Sequence, residues 1–271
     1  MGLGGADAVY IEDCTFLFES WKASAPTTDC EGGNFVFRYN SATNVYLEMH
    51  DAIIVNLRGC RKWEIYENEF IVTDSDAQYW GLHLRSGTGV VFNNTWNGKP
   101  GADPIAIALY RTYQTGGDPW DGLCSDSSGK ACLGTDGTYS RQCSSDADCG
   151  GSVGSCVDID GSSESPSGYP CRDQIGRGEG NPQESVPALF WNNKYCNTYP
   201  CTPTTYAGIN KVSGGLYYIA DRDYCVNLDS DMPTTCNGET VSYTPYTYPH
   251  PLRQAGVGIK PQPPQDLRLI N

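Results

Sequence analysis

The chain has 271 residues, of which 39% are apolar, with 31 Gly, 18 Tyr, 17 Pro and a formal net charge of −14. This composition supplies a core but no alanine-rich or leucine-rich helical runs, and it fits a turn-rich β protein. The acidic balance excludes a general affinity for nucleic acid or anionic membrane, because like charges repel at long range, and no stretch approaches the roughly 18 apolar residues of a membrane-spanning helix.

The first element, Ile11-Glu12-Asp13-Cys14-Thr15-Phe16, returns in loose copies at residues 37–42, 65–70, 91–96 and 190–195. Each copy is an apolar residue, two variable ones, Asn or Cys, one more, and usually an aromatic. The Asn or Cys positions are 14, 40, 68, 94 and 193, so the first three steps are 26, 28 and 26 residues. A near-constant period of this size means one structural unit stacked on the next. A second kind of strand alternates with the first: Tyr46-Leu47-Glu48-Met49-His50, Gly81-Leu82-His83-Leu84-Arg85 and Ala106-Ile107-Ala108-Leu109-Tyr110. Aligned by Leu47/Met49, Leu82/Leu84 and Ile107/Leu109, each has one apolar face. Short strands joined by glycine-rich turns within such a period predict an all-β parallel β-helix (a solenoid) over residues 1–113, in which each strand pairs with its counterpart one coil away. The Asn column is then a ladder satisfying buried polar groups at a turn, with the aromatic two residues on stacked inside.

Residues 114–187 break the period. They hold Cys124, Cys132, Cys143, Cys149, Cys156 and Cys171, a set of six suited to a disulfide-stapled lobe whose pairing is open from sequence. Asp146, Asp148, Asp158 and Asp160 lie among Ser and Gly; no cofactor is required by any motif, and this acidic loop is the candidate calcium site, with turn aspartates as the plainer reading. The coils resume over 188–242, where Cys196 with Cys201 and Cys225 with Cys236 close small loops and residues 216–219 read as a late strand. Residues 243–271 are extended and rich in Pro and Tyr; proline cannot join a sheet interior, so this segment lies along the outside or covers an end. With 13 cysteines and only three histidines, disulfides are favoured over zinc, which places the chain in an oxidising, extracellular or cell-surface setting. The odd count leaves a thiol, and Cys14, in an Asn position, is expected to be that thiol and buried. Residues 1–6 lack a secretion signal, so a fragment, a mature form or a trimmed chain is expected.

The stretch Gly168-Tyr169-Pro170-Cys171-Arg172-Asp173-Gln174-Ile175-Gly176-Arg177-Gly178, together with Phe190-Trp191-Asn192-Asn193 and residues 243–252, resembles a group of bacterial secreted right-handed parallel β-helix proteins in the pectate-lyase-like superfamily. The resemblance implies a right-handed helix, further coils before residue 1, and a superfamily of carbohydrate lyases, hydrolases, esterases and adhesins. Fold does not choose among these.

The alignment of second strands sets Glu48 beside His83 and His50 beside Arg85, all outward on one sheet, with Arg111 near the next coil. Histidine and glutamate exchange protons near neutral pH and arginine binds carboxylates, which is what a lyase acting on a uronate needs. Burial of His50 or His83 would remove that proposal, and cross-strand ion pairing is the plainer reading. Trp80 and Tyr110, with Trp96, Trp120 and Tyr113, are candidates for stacking on sugar rings. Arg172, Asp173 and Arg177 are either a ligand site where the lobe meets the helix or an ion pair anchoring it. The paired aspartates of a pectin hydrolase, the calcium cluster of a pectate lyase and the GxSxG and Walker motifs are not matched. The expected function is binding or degradation of a polysaccharide or cell-surface glycan, as a lyase or hydrolase. The alternative is a non-catalytic adhesin, fibre or filament subunit. An uncapped end would take a second copy or an N-terminal segment.

Overall fold

The computed structural model describes residues 3–22, 32–50, 59–74, 80–101, 103–108, 130–134, 139–150, 154–158, 175–176, 178, 184–212 and 218–255. The chain is nearly all β, and most of its strands are parallel. The first pass holds β1 (Val9–Glu12) and β2 (Thr15–Lys22); the second β3 (Asn34–Arg38), β4 (Ser41–Val45) and β5 (Leu47–Met49); the third β6 (Lys62–Tyr66), β7 (Glu69–Ile71) and β8 (Leu82–Leu84). The fourth holds β9 (Thr88–Phe92), β10 (Thr95–Asn97) and β11 (Ile105–Ala108). A lobe of β12 (Lys130–Gly134), β13 (Tyr139–Gln142) and β14 (Gly154–Asp158) intervenes before β15 (Ala188–Trp191), β16 (Lys194–Tyr195), β17 (Thr205–Tyr206), β18 (Ile209–Val212) and β19 (Tyr224–Asn227). A hairpin of β20 (Thr235–Cys236) and β21 (Glu239–Thr240) and a short helix α1 (Pro251–Ala255) complete the described chain.

Successive passes feed three sheets in turn. The first sheet runs β1-β3-β6-β9-β15-β19, the second β2-β4-β7-β10-β16-β17 and the third β5-β8-β11-β18, all parallel except β16 with β17. The register holds from strand to strand: Phe37 pairs with Ile65, Ile65 with Val91, and Val91 with Phe190. These side chains, with Leu47, Leu82, Ile105 and Trp96, form one buried core between the sheets. Gly89 shows how tightly it is filled, since a Cβ there would sit 1.8 Å from the Trp63 carbonyl oxygen.

The corner between the first and second sheets is the repeated motif. Asp13, Tyr39, Glu67, Asn93 and Asn192 all have left-handed φ, between 48° and 56°, so one residue turns the chain and the next begins the ladder. Asn68 Nδ2 donates to Phe37 O (2.8 Å), Tyr66 O (3.0 Å) and Asn94 Oδ1 (2.9 Å). Its Oδ1 accepts from Asn40 N (3.0 Å) and Asn40 Nδ2 (3.1 Å), and Asn94 repeats the arrangement with Asn193 at 2.9 Å. The expected ladder is present, and the aromatics two residues on stack in the core, Phe70 on Trp96 at 4.9 Å and 10°.

Several expectations need correction. Cys14 is a free thiol but exposed, because it sits at the corner between the edge strands β1 and β2, where Asn40 covers it from one side alone. The last strand of the first sheet is β19 around Cys225; of the expected strand at 216–219, residues 216 and 217 lie outside the described residues, and Tyr218 buries its ring and donates its hydroxyl to Ala108 O at 2.6 Å. The third sheet pairs Ile105 with Leu82 and Ile107 with Leu84, so the Ile107/Leu109 alignment is two residues out. The lobe is an antiparallel sheet stapled by Cys132–Cys149 and Cys143–Cys156, while Cys124 and Cys171 lie outside the described residues. Cys196–Cys201 and Cys225–Cys236 pair as expected.

Asn68 is completely saturated by buried partners, so Asn68→Ala should cost about 3 kcal/mol or more and exceed Asn40→Ala, whose upper neighbour is partly exposed. Urea unfolding of the two variants measures the difference.

Candidate functional site

Two polar clusters lie outside the apolar core. The first is on the third sheet, where β5 and β8 pair Glu48 with His83 as the alignment anticipates. Glu48 Oε1 accepts from Arg85 at 2.7 Å and lies 3.3 Å from His83 Nδ1. The Tyr46 hydroxyl contacts the same His83 nitrogen, and the imidazole is stacked between the Tyr46 ring (5.7 Å) and the Trp80 ring (4.7 Å). His50, which the alignment sets beside Arg85, follows Met49, whose carbonyl oxygen accepts from Arg85 N at 3.0 Å; its own carbonyl oxygen accepts from Cys60 N at 3.1 Å and Ser86 Oγ at 2.8 Å.

The cluster is closed. His83 is 2% exposed and Glu48 7%, against the expectation of an open outward face. Glu48 pairs with both Arg85 and His83, and removing one partner of such a buried pair strands the other charge, at about 3–5 kcal/mol. In the next strand the His83 column continues as Ala106 and Asn210, so the row of functional groups ends after two strands. Arg111, Tyr110, Arg172, Asp173 and Arg177 lie outside the described residues, as do Tyr113 and Trp120. Between Asp173 and Arg177, Ile175 is buried in the core and Gly176 donates to Gly87 O at 3.1 Å, packed where a Cβ would meet Asp223 O at 2.3 Å. Trp96 is a core residue, fully buried, and not a surface platform.

Asp146 and Asp148 of the acidic loop bond to backbone, and Asp160 lies outside the described residues. Asp148 Oδ2 accepts from Ser144 N (2.8 Å) and Ser145 N (2.9 Å), and Asp146 Oδ1 from Cys156 N (2.7 Å), which is the turn role of such aspartates. Cys132, Cys143 and Cys149 converge closely, yet their sulfurs are held in disulfides and so are not thiolate ligands.

The second cluster lies on the outer face of the first sheet and escaped the sequence reading. Glu12, Arg38, Tyr66, Phe92 and Trp191 share one column of the register. Arg38 is fully buried, paired with Glu12 at 2.6 Å and bonded to Tyr66 Oη at 2.8 Å, Tyr246 O at 2.7 Å and Thr247 O at 2.9 Å. Burial works against its charge, but the bonds to Tyr66 and Glu12 outweigh it and hold the guanidinium charged. Below it Tyr66, Phe92 and Trp191 form a stacked row at 4.6 and 4.2 Å, and Tyr243 packs edge-on across all three. Tyr243 donates its hydroxyl to Glu64 Oε2 at 2.5 Å while Gly4 N donates to Glu64 Oε1 at 2.7 Å. The proline-rich segment thus straps the outer face of the first sheet, in line with its composition. The signal for this site was Glu12 and Arg38 at equivalent positions of successive copies, both outward.

Comparison of the chain with protein-family models, curated proteins and solved structures finds no match.

Burial, and then the charge of Glu64, push the Tyr243 hydroxyl far above the usual tyrosine range; burial does the same for Tyr10, and for Tyr66 despite its bond to Arg38. A tyrosine raised in this way keeps its proton in the folded chain while the unfolded chain loses it, so its contribution is complete below pH ~10 and is lost as the pH climbs beyond that. Stability measured by urea unfolding should therefore fall above pH ~10, and Tyr243→Phe should flatten that fall by about 1.4 kcal/mol per pH unit. An unchanged slope would put Tyr243 in water.

Proposed function

We propose that the chain is an extracellular right-handed parallel β-helix protein that binds glycan without cleaving it. Three parallel sheets fed in turn, with constant register and an Asn ladder at one corner, support the β-helix. The disulfides support an oxidising, extracellular location. The observation that carries the non-catalytic reading is the burial of His83 against Glu48, Arg85 and two rings: a general base must reach its substrate proton, and this one is enclosed. Binding draws on surface rings. Tyr39, Tyr199 and Tyr248 are 36, 45 and 42% exposed, and Tyr39 stacks on Tyr248 at 3.8 Å, giving apolar faces with polar edges that suit sugar rings.

A second reading, an adhesin or filament subunit that self-associates, is favoured by the open side of the sheets. Strands β1, β2 and β5 are edges among the described residues, with Val9 65% and Leu17 76% exposed. Unpaired strand edges bearing apolar side chains are templates for a further strand, from a second copy or from another segment.

Incubation with a panel of uronate polysaccharides should yield no unsaturated product in the ultraviolet, while affinity electrophoresis shows retardation by at least one glycan. Unsaturated product lost in a folded His83→Ala variant would establish catalysis instead. For the second reading, sedimentation should show a dimer or larger species that Leu17→Lys returns to monomer; a monomer at all concentrations would reject it.

A further inference from the structure

The strap borders a half-open cavity that shares Gly4, Tyr243, Tyr246 and Thr247 with the second polar cluster. Its volume is about 730 Å³, and it lies between residues 241–247, the β20–β21 hairpin, residues 185–187 leading into β15, and the Leu3-Gly4 pair. That size falls within the roughly 300–1,000 Å³ of small-molecule sites.

The walls are held in place before any ligand arrives. The hairpin turns through Asn237 (φ 53°) and Gly238 (φ 75°), the left-handed pair of a two-residue hairpin loop, and is tied to β19 by Cys225–Cys236. Across the cavity, Asn237 Nδ2 lies 3.4 Å from Ser185 Oγ. The strap is fixed by Tyr243 on Glu64 and by Arg38 on Tyr246 O and Thr247 O. A pre-formed site avoids the ordering cost that a loose loop would add to binding.

The lining chemistry selects the ligand. Among the described residues no Lys, Arg or His lines the cavity, and Glu239 does. An anionic ligand such as a uronate, phosphate or sulfate would meet that carboxylate, would find no cation among those residues, and would approach a chain of net charge −14. A purely apolar ligand would strip water from the hydroxyl and amide groups of Ser185, Asn237 and Thr240 without replacing their hydrogen bonds. Leu189 and Pro245 add apolar surface to the same walls. A neutral ring with an apolar face and a rim of hydroxyl groups satisfies both sets of groups.

We propose that this cavity is the binding site for a short, uncharged stretch of glycan. It rests on the extracellular glycan-binding reading for the source of the ligand, and adds to it a place and a charge class.

The test is calorimetric titration of the disulfide-intact chain at neutral pH. The probes are the neutral tetrasaccharides of glucose, mannose, galactose and xylose, with tetragalacturonate as the charged counterpart. Asn237→Gly keeps the left-handed turn and removes the amide, Thr240→Trp fills the space, and both positions are exposed, so both variants should fold with an unchanged Tm. Tyr199→Ala removes a surface ring outside the cavity lining, and Leu228→Ser, exposed and in neither place, is the control.

The expected result is saturable binding of at least one neutral probe, weakened about tenfold or more by both cavity variants and unchanged in Leu228→Ser. Binding lost in Tyr199→Ala but kept in the cavity variants would overturn the cavity site while leaving glycan binding at the surface intact. Preference for tetragalacturonate would overturn the charge class. Absence of any heat with about 10 mM of each neutral probe, where even a millimolar Kd registers, would overturn the proposal.

Discussion

The rest of the structure depends on the hydrogen bonds from one asparagine side chain to the next. Turning the chain from the first sheet to the second in so few residues leaves backbone groups at the corner that no strand partner reaches. Asn40, Asn68, Asn94 and Asn193 meet those groups, with each amide also bonded to its neighbour one pass away. Buried polar groups are costly unless paired, so the buried corners repeat Asn from pass to pass, while the exposed first corner carries Cys14. That requirement keeps the passes in register, and the register in turn stacks Phe70 on Trp96 and Tyr66 on Phe92. Even the 99-residue step between Asn94 and Asn193 leaves the ladder unbroken, because the lobe between them returns the chain to the same corner.

Charge is handled by enclosure on both decorated faces. Glu48 is held between Arg85 and His83 on the third sheet, and Arg38 between Glu12 and the strap carbonyls on the first. Such pairs are weak sources of net stability, but they are intolerant of losing one member, and that makes them determinants of which segment packs where. Arg38 illustrates this: its bonds reach Tyr246 O across 208 residues of sequence and leave one docking position for the strap. The proposed glycan-binding function follows from this economy of surface. Glu48 and His83, which looked available for proton transfer, are held inside the structure, while the tyrosine rings of Tyr39, Tyr199 and Tyr248 stay exposed.

The repeat was legible in the chain because its causes are local and periodic. A left-handed corner followed by Asn recurs at Asn40, Asn68 and Asn94 with near-equal spacing, with an aromatic two residues on at Phe70 and Trp96, and the short loops of Cys196–Cys201 and Cys225–Cys236 were readable for the same reason. The Asn237-Gly238 pair carried an equally local signal, that of a two-residue hairpin, and passed unread among the cysteines around it. The alignment of Ile107/Leu109 failed because alternating apolar residues look the same after a shift of two; pairing with Leu82 and Leu84 chose Ile105 and Ile107. Cys14 failed because burial at a ladder position requires cover from both sides.

Sequence by itself determined the all-β character, the unit of about one pass, the ladder and its aromatic companion, since each of these depends on residues close together or evenly repeated. Tertiary structure decided whether an outward side chain meets water. An outward position on a strand says nothing about what later segment will lie over it, and the strap that buries Arg38 is contributed by the far end of the chain. Glu48 and His83 were placed side by side by pattern alone; that they are buried, with His83 stacked against two aromatic rings, was decided by packing.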